Sequence, residues 1–215
     1  MSRLDLPIDI ETVKGFLAPE EGEAIYHAAY EASALGPCLE IGSYCGKSTV
    51  YFGLACQQRN SVLYALDHHL GSEENQAGWE HHDPSLADAE TGMLNTFPIF
   101  RRTLRAAKLE DSVVPIVAPS TVAARYWATP LAMVFIDGGH AMEHALNDYR
   151  LWAAQVMPGG ILAIHDVFPD PADGGRPPYE IYKMALASNL FEEIDAVKSL
   201  RLLRRLGEGP LREEV

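Results

Sequence analysis

Residues 38–52 read CLEIGSYCGKSTVYF, and this stretch decides the fold. Cys38 to Ile41 is a short run closed on itself by apolar residues around Glu40. Gly42 and Gly46 follow, and a helix-like segment opens at Lys47. Strand, glycine turn and helix start make a cradle for an adenosine-type cofactor. Glycine reaches positive φ and carries no Cβ to block a ligand, while the first turn of the helix offers unpaired N–H groups and the positive end of its dipole. The spacing is E-x-G-x-x-x-G, so the G-x-G-x-x-G dinucleotide fingerprint is absent. A phosphate loop is absent too, because Lys47-Ser48 follows a glycine but Ile41 stands five residues before Gly46.

Strands and helices alternate outward from this turn. Continuous apolar runs predict strands at Cys38–Ile41, Val62–Leu66, Val113–Val117, Met133–Ile136 and Ile161–Ile164, as expected where both faces of a sheet are covered. Helices are predicted over 19–35, opened by Pro19-Glu20-Glu21, and near Lys47–Cys56, Leu94–Lys108, Val122–Tyr126, Met142–Val156 and Tyr179–Asn189. In the Met142–Val156 segment Ala145, Leu146, Tyr149, Trp152, Ala153 and Val156 recur on one face. Pro158-Gly159-Gly160 is expected to stop it before the next strand. This alternation argues an α/β fold with a doubly wound, mostly parallel sheet and ligands at the carboxyl ends of its strands. Phe191–Val197 and Leu200–Arg205 predict a terminal antiparallel hairpin. With no internal repeat and no interdomain linker, residues 1–215 read as one domain, with a helical extension over about 1–35.

One segment departs from the compact plan. From His68 to Gly92 the chain is polar and without period, and loops of that length are commonly lids or binding loops. Phe168 to Pro178, holding Arg176, is a second loop over the same rim. The expectation is a covered site, with a lid at about 68–92.

Composition narrows the function. A net charge of −13 disfavours nucleic acid as a partner, since that binding relies on Lys and Arg neutralising phosphate. No apolar run approaches the length of a membrane span, and MSRLDLPIDI lacks the layout of a signal peptide. Cys38, Cys45 and Cys56 form neither a C-x-x-C pair nor an even framework, so reduced thiols in a cytoplasm are expected.

Chemistry-bearing residues fall at strand ends. Asp67 closes the second strand, where a carboxylate accepts ribose hydroxyls. Asp137 closes the fourth and is followed by Gly138, Gly139 and His140; His165 and Asp166 close the fifth. Neighbouring parallel strands lie about 4.8 Å apart, so Asp137 and Asp166 are placed to converge on one ion. Hard oxygen donors with a single imidazole suit Mg²⁺, Mn²⁺ or Fe²⁺ better than a thiolate-bound zinc. His140 is close enough to act as a base on a substrate hydroxyl. A second metal site from His68-His69 and His81-His82 has no spacing on a defined element to support it.

Taken together, Glu40-x-Gly42-x-x-x-Gly46, Asp67, FIDGGH at 135–140 and GGILAIHDV at 159–167 resemble class I S-adenosylmethionine-dependent methyltransferases. More narrowly they are similar to the bacterial branch of small O-methyltransferases of sugar and macrolide tailoring, related in layout to catechol O-methyltransferases. The match covers roughly 36–168. It implies a Rossmann-like seven-stranded sheet with one reversed terminal strand. It also implies that Gly42, Ser43 and Gly46 pass under the methionine part and that Asp67 holds the ribose. Ala118 to Ser120 would border the adenine, with Glu40, His68 and Asp137 counted in the same cofactor-binding set. Asp137, His165 and Asp166 would bind a divalent metal, and His140 would be the general base. An imidazole at 165, where such enzymes often have a carboxylate, is a departure that puts metal identity in question.

The resemblance therefore implies a metal-assisted O-methyltransferase of a small hydroxylated acceptor, such as a catechol or a sugar, with Trp79, His81 and His82 shaping the acceptor pocket. The N-terminal helix and the aromatic loop are the surfaces through which a homo-oligomer could form. Two other readings stay open. A metal-dependent hydrolase would use Asp137, His140, His165 and Asp166 without a cofactor cradle, and a non-catalytic S-adenosylmethionine-binding protein would need the cradle but not His140. A nicotinamide dehydrogenase is disfavoured by the glycine spacing.

Overall fold

The computed structural model describes residues 4–72, 83–139, 141–170, 172 and 175–209. Seven strands form one sheet in the order β3-β2-β1-β4-β5-β7-β6. They are β1 (Cys38–Ile41), β2 (Leu63–Asp67), β3 (Val113–Val117), β4 (Leu131–Ile136), β5 (Val156–Ile164), β6 (Phe191–Val197) and β7 (Leu200–Arg205). The first five run parallel. The reversed strand, β7, is last in the chain but lies inside the sheet, antiparallel to both β5 and β6. The outermost strand on that side, β6, carries Glu192, Glu193 and Asp195 exposed, charges that blunt an open edge against pairing with another chain.

Among the described residues six α-helices cover the faces: α1 (Pro19–Ala32), α2 (Lys47–Gln58), α3 (Phe97–Ala106), α4 (Ser120–Ala123), α5 (Met142–Trp152) and α6 (Pro177–Ala187). The period of two along each strand divides the core. Cys38, Met133, Phe135, Ile161 and Ala163 face Ile25, Phe52 and Phe100 of the α1–α2–α3 side. Leu39, Ile41, Val134, Ile136, Leu162 and Ile164 face Tyr149, Trp152 and Ile181 of the α5–α6 side. Complete burial of Phe52, Phe135 and Trp152 contributes about 1.5–3 kcal/mol for each side chain of that size. By the same alternation Glu40 points to the α2 side, into apolar surroundings.

Several boundaries differ from the sequence reading: β2 runs Leu63–Asp67, β4 starts at Leu131, and α4 and α6 start two residues earlier. Val156 is not the end of the α5 helix: α5 stops at Trp152, one 3-10 turn follows, and Val156 opens β5 by pairing with Leu131. Pro158-Gly159-Gly160 lies inside β5, within a register shift between Leu131 and Met133. There Gly159 takes φ +80, and a Cβ on Gly160 would stand 2.6 Å from the Ala132 carbonyl oxygen. The glycines make an irregularity in a strand, where the sequence suggested a helix stop. Likewise α3 begins at Phe97, not Leu94. Pro98 suits the first turn of a helix, and Leu94 packs with Cys45 and Leu86.

The strand order places the topological switch between β1 and β4, whose carboxyl ends border the crevice where open α/β sheets take ligands. Among the described residues no helix is long and apolar enough to cross a membrane.

Candidate active site

Gly42 follows β1 with φ +90, and a Cβ there would sit 2.0 Å from the Asp137 carbonyl oxygen. Only glycine lets the β1 turn lie against the end of β4 this closely. Tyr44 follows at φ 45 and Gly46 at φ +95 as the N-cap of α2. A tyrosine in the left-handed region is strained. It is held there by Asp67, whose Oδ2 accepts the Tyr44 N–H at 2.8 Å while Oδ1 accepts the His69 N–H at 2.7 Å. Asp67 thus fixes the turn, and each oxygen keeps lone-pair capacity for a further donor.

Ser43 lies between these backbone positions. It is 1% exposed, and its Oγ has no hydrogen-bond partner among the described residues. A buried hydroxyl without a partner is costly; one in a glycine turn, at the switch point of the sheet, is placed for a polar group of a bound molecule. Turn and hydroxyl together fit a cofactor laid across the end of β1.

Glu40 is fully buried and receives the Ser48 hydroxyl at 2.7 Å and the Thr49 hydroxyl at 2.6 Å. Burial pushes its carboxyl up to about 8, reinforced by the charges of Asp137 and Asp67 and opposed by the two hydroxyls. Glu40 therefore joins β1 to the first turn of α2 and is largely protonated at neutral pH. Ser48 is committed to it.

At the ends of β4 and β5, one imidazole stands among carboxylates. His165 Nδ1 is 3.0 Å from Asp137 Oδ1 and 3.3 Å from Asp166 Oδ2. Its Nε2 is 3.1 Å from Glu21 Oε2. Asp166 carries φ 56, a second non-glycine residue at positive φ in the site. Desolvation works to lower the pKa of His165, but Asp137, Asp166 and Glu21 together raise it well above its ordinary value. One donor atom from each of Asp137, His165 and Asp166 lies within 4.8 Å of the others. Two carboxylates and an imidazole are a suitable set for a hard or borderline divalent ion. Such an ion would take the place of the Nδ1 proton.

Glu21 is the functional neighbour that the sequence reading missed. It lies in the first turn of α1 and is 3% exposed. Oε1 accepts the Ser199 N–H at 2.9 Å and the Ser199 hydroxyl at 2.8 Å, while Oε2 accepts the Ala18 N–H at 3.1 Å. Burial would raise its pKa, but His165, Ser199 and Ala18 outweigh this and bring it down to about 2. In sequence Glu21 looks like an ordinary acidic residue of a helix start, which it also is.

Asp148, on α5, is the other missed group. It is 4% exposed and burial pushes it up to about 6. It accepts the Ser120 hydroxyl, and a Cβ on Gly138 would be 2.9 Å from its Oδ2. Ser120, expected at the adenine border, thus ties α4 to α5. Asp137, Gly138, Gly139, Asp148, His165 and Ile181 line a shallow recess on this side.

His68 is exposed and its Nδ1 accepts the Leu70 N–H at 3.0 Å. His69 is buried against Phe97 and Phe100, with Nδ1 2.8 Å from Thr96 Oγ1. The structure therefore brings together Gly42, Ser43, Gly46, Asp67 and Asp137 around the β1 turn, and Asp137, His165 and Asp166 beside it. His140, Trp79, His81 and His82 lie outside the described residues. Of the expected lid, 83–92 is described: Lys14 reaches Asp83 and, at 2.6 Å, Ser85 Oγ. All three cysteines are buried and free.

The sequence profile of a family described as a methyltransferase domain matches residues 39–167, more than half of the chain. Among solved structures, the fold is similar to that of the O-methyltransferase NovP, at a TM-score of 0.66 and 16% identity over 88% of this chain and 81% of that one. It is also similar to TomG of Streptomyces achromogenes, an O-methyltransferase of tomaymycin synthesis solved with S-adenosylmethionine. There the TM-score is 0.60 and the identity 17%, over 89% and 82% of the two chains. An O-methyltransferase of Bacillus cereus, solved with S-adenosylhomocysteine, matches at 0.58 and 16% identity over 88% and 83%.

Proposed function

Because the chain belongs to the methyltransferase-domain family, we propose that it transfers a methyl group from S-adenosylmethionine to a hydroxyl of a small molecule, with a divalent cation at Asp137, His165 and Asp166. The cofactor supplies a methyl already activated on a sulfonium, which leaves alignment and proton removal to the protein. The observation that carries the reading is the Ser43 hydroxyl, buried between Gly42 and Tyr44 at the switch point with no partner among the described residues. The similar folds of TomG and the Bacillus cereus enzyme, solved with S-adenosylmethionine and S-adenosylhomocysteine, support it.

Gly42, Ser43 and Gly46 border the methionine part and Asp67 the ribose, while Ala118 to Ser120 border the adenine. A divalent cation bound by Asp137, His165 and Asp166 would lower the pKa of an acceptor hydroxyl. His140, three residues past Asp137, is the group we assign to take the proton. The recess beside Asp137 and Asp148 is the acceptor side, and a vicinal diol, of a catechol or a sugar, suits a chelating site best. A single domain whose 68–92 segment covers this side, a cytosolic setting and a possible pairing of two copies complete the proposal; the net charge of −13 favours a small acceptor over nucleic acid. The family assignment removes the metal-dependent hydrolase.

Calorimetric titration of S-adenosylhomocysteine into metal-stripped protein, with and without Mg²⁺ or Mn²⁺ and with NAD as control, tests this. Saturable binding of S-adenosylhomocysteine and none of NAD is expected, lost in Gly42→Ala. No heat from S-adenosylhomocysteine would overturn the reading. Binding with methyl transfer unaffected in folded His140→Ala and Asp137→Ala would overturn the assigned chemistry while leaving the cofactor site standing.

A further inference from the structure

Glu21 comes from the N-terminal helix, ahead of the residues 39–167 that define the family match, yet it touches His165 across 144 residues of sequence. Three donors besides His165 point at its carboxylate: the N–H of Ala18, the N–H of Ser199 and the hydroxyl of Ser199. A carboxylate surrounded by donors is an acceptor only, so the imidazole nitrogen facing it must carry a proton. That nitrogen is Nε2, at 3.1 Å. The opposite nitrogen, Nδ1, then points at Asp137 and Asp166, 3.0 and 3.3 Å away. Both side chains of the pair are about 5% exposed, and the Ser199 hydroxyl, which also lies 3.4 Å from Nε2, donates its proton to Glu21 at 2.8 Å.

We propose that Glu21 is a positioning residue of the active site: by holding the Nε2–H of His165 it fixes the ring so that Nδ1 is the nitrogen presented to Asp137 and Asp166. A carboxylate on the far nitrogen of a metal-binding imidazole sets its tautomer and orientation and strengthens it as a ligand, an effect of about 10–100-fold on metal affinity. The N-terminal helix is in this way a component of the site, tying its first turn, the end of β5 and the β6–β7 turn at Ser199 to one imidazole. The metal arm of this inference rests on the function proposed above; the orientation of the ring does not.

The test compares wild type with Glu21→Gln and Ser199→Ala. Glutamine keeps the volume but puts an NH₂ donor where the carboxylate offered only acceptors. The Ser199 variant removes a donor to Glu21 and the more distant, 3.4 Å neighbour of Nε2, and leaves the 3.1 Å Glu21–His165 contact in place. Imidazole ¹⁵N spectra, taken above the pH at which the ring loses its first proton and with the His165 signals assigned by their loss in His165→Asn, read directly which nitrogen keeps its proton. Wild type and Ser199→Ala should show Nε2 protonated; Glu21→Gln should lose that preference. Mn²⁺ titration should show affinity about 10–100-fold weaker in Glu21→Gln and nearly unchanged in Ser199→Ala, with S-adenosylhomocysteine binding alike in all three. An unchanged His165 tautomer in folded Glu21→Gln overturns the inference, as does equal Mn²⁺ loss in both variants, which would mark a merely structural role. A wild type with the expected tautomer but no Mn²⁺ binding supports the positioning role and overturns the metal in the proposed function.

Discussion

Glu21, in the first turn of α1, and Glu40, at the end of β1, are both shut away from solvent, at 3% and 0% exposed. Burial raises the pKa of each, yet Glu21 ends at about 2 and Glu40 at about 8. The difference lies in their partners. Glu21 faces a cationic imidazole, two backbone N–H groups and a hydroxyl. Glu40 has two hydroxyls and feels the like charges of Asp137 and Asp67. Depth does not set the charge of a buried carboxylate; the donors and charges around it do.

The largest break in this comparison is Glu21→Ala. It leaves His165 Nε2 and the Ser199 N–H buried without their acceptor, and removing one partner of a buried ion pair costs about 3–5 kcal/mol. Urea unfolding at pH 7 measures it, and a loss below about 1 kcal/mol would mean that the pair is not ionised as described.

Titration separates the two glutamates next. Glu40 has a folded pKa above its ordinary 4.5, so the folded state holds the proton more tightly than the unfolded chain. Its contribution is therefore present below pH 4.5 and lost progressively as pH rises from 4.5 to about 8. Glu40→Gln should remove that decline, gaining on wild type by on the order of 2–4 kcal/mol between pH 5 and pH 8. A constant difference across that range would refute the raised pKa. Glu21 has the opposite sign: its folded pKa is depressed, so its stabilisation is present above 4.5 and lost as pH falls from there towards 2. Acid unfolding of Glu21→Gln should accordingly be flatter in that window.

Smaller effects sharpen the account of partners. Thr49→Val removes one of the hydroxyls on Glu40 and should cost about 1–3 kcal/mol, as for a buried group left without its hydrogen bond. The cost should grow at higher pH, where the carboxyl ionises. Ser199→Ala, which leaves Glu21 its ion pair and two N–H donors, should cost about 0.5–1.5 kcal/mol. If Ser199→Ala cost more than Thr49→Val, the ranking of the two environments would be wrong.

Most of the fold was legible because the parallel strands announce themselves as short apolar runs, while the largely exposed edge strand β6 was read as half of a hairpin with β7. The bounds of β1, β3, β6 and β7 match those read from the sequence. Local patterns failed where a glycine pair served a strand irregularity instead of a helix stop, at Gly159-Gly160, and where Leu94 joined a loop cluster with Cys45 and Leu86. At the site, Gly42, Ser43, Asp137, His165 and Asp166 could be named because strand-end residues in a parallel sheet converge by topology alone. Asp148 and Glu21 could not, since each sits in a helix whose spacing already explains a polar residue there.

From the sequence alone came the doubly wound sheet, the glycine turn and the acidic strand ends, all properties of local periodicity and of the few ways a chain can wind a parallel sheet. Only the tertiary structure decided which nitrogen of His165 faces which carboxylate, that β7 lies inside the sheet, and that one buried glutamate is charged while the other is largely protonated. Those outcomes depend on distances between groups such as Glu21 and His165, 144 residues apart. Electrostatic energies in a desolvated interior turn on separations of a few ångströms, and no local pattern in the chain encodes them.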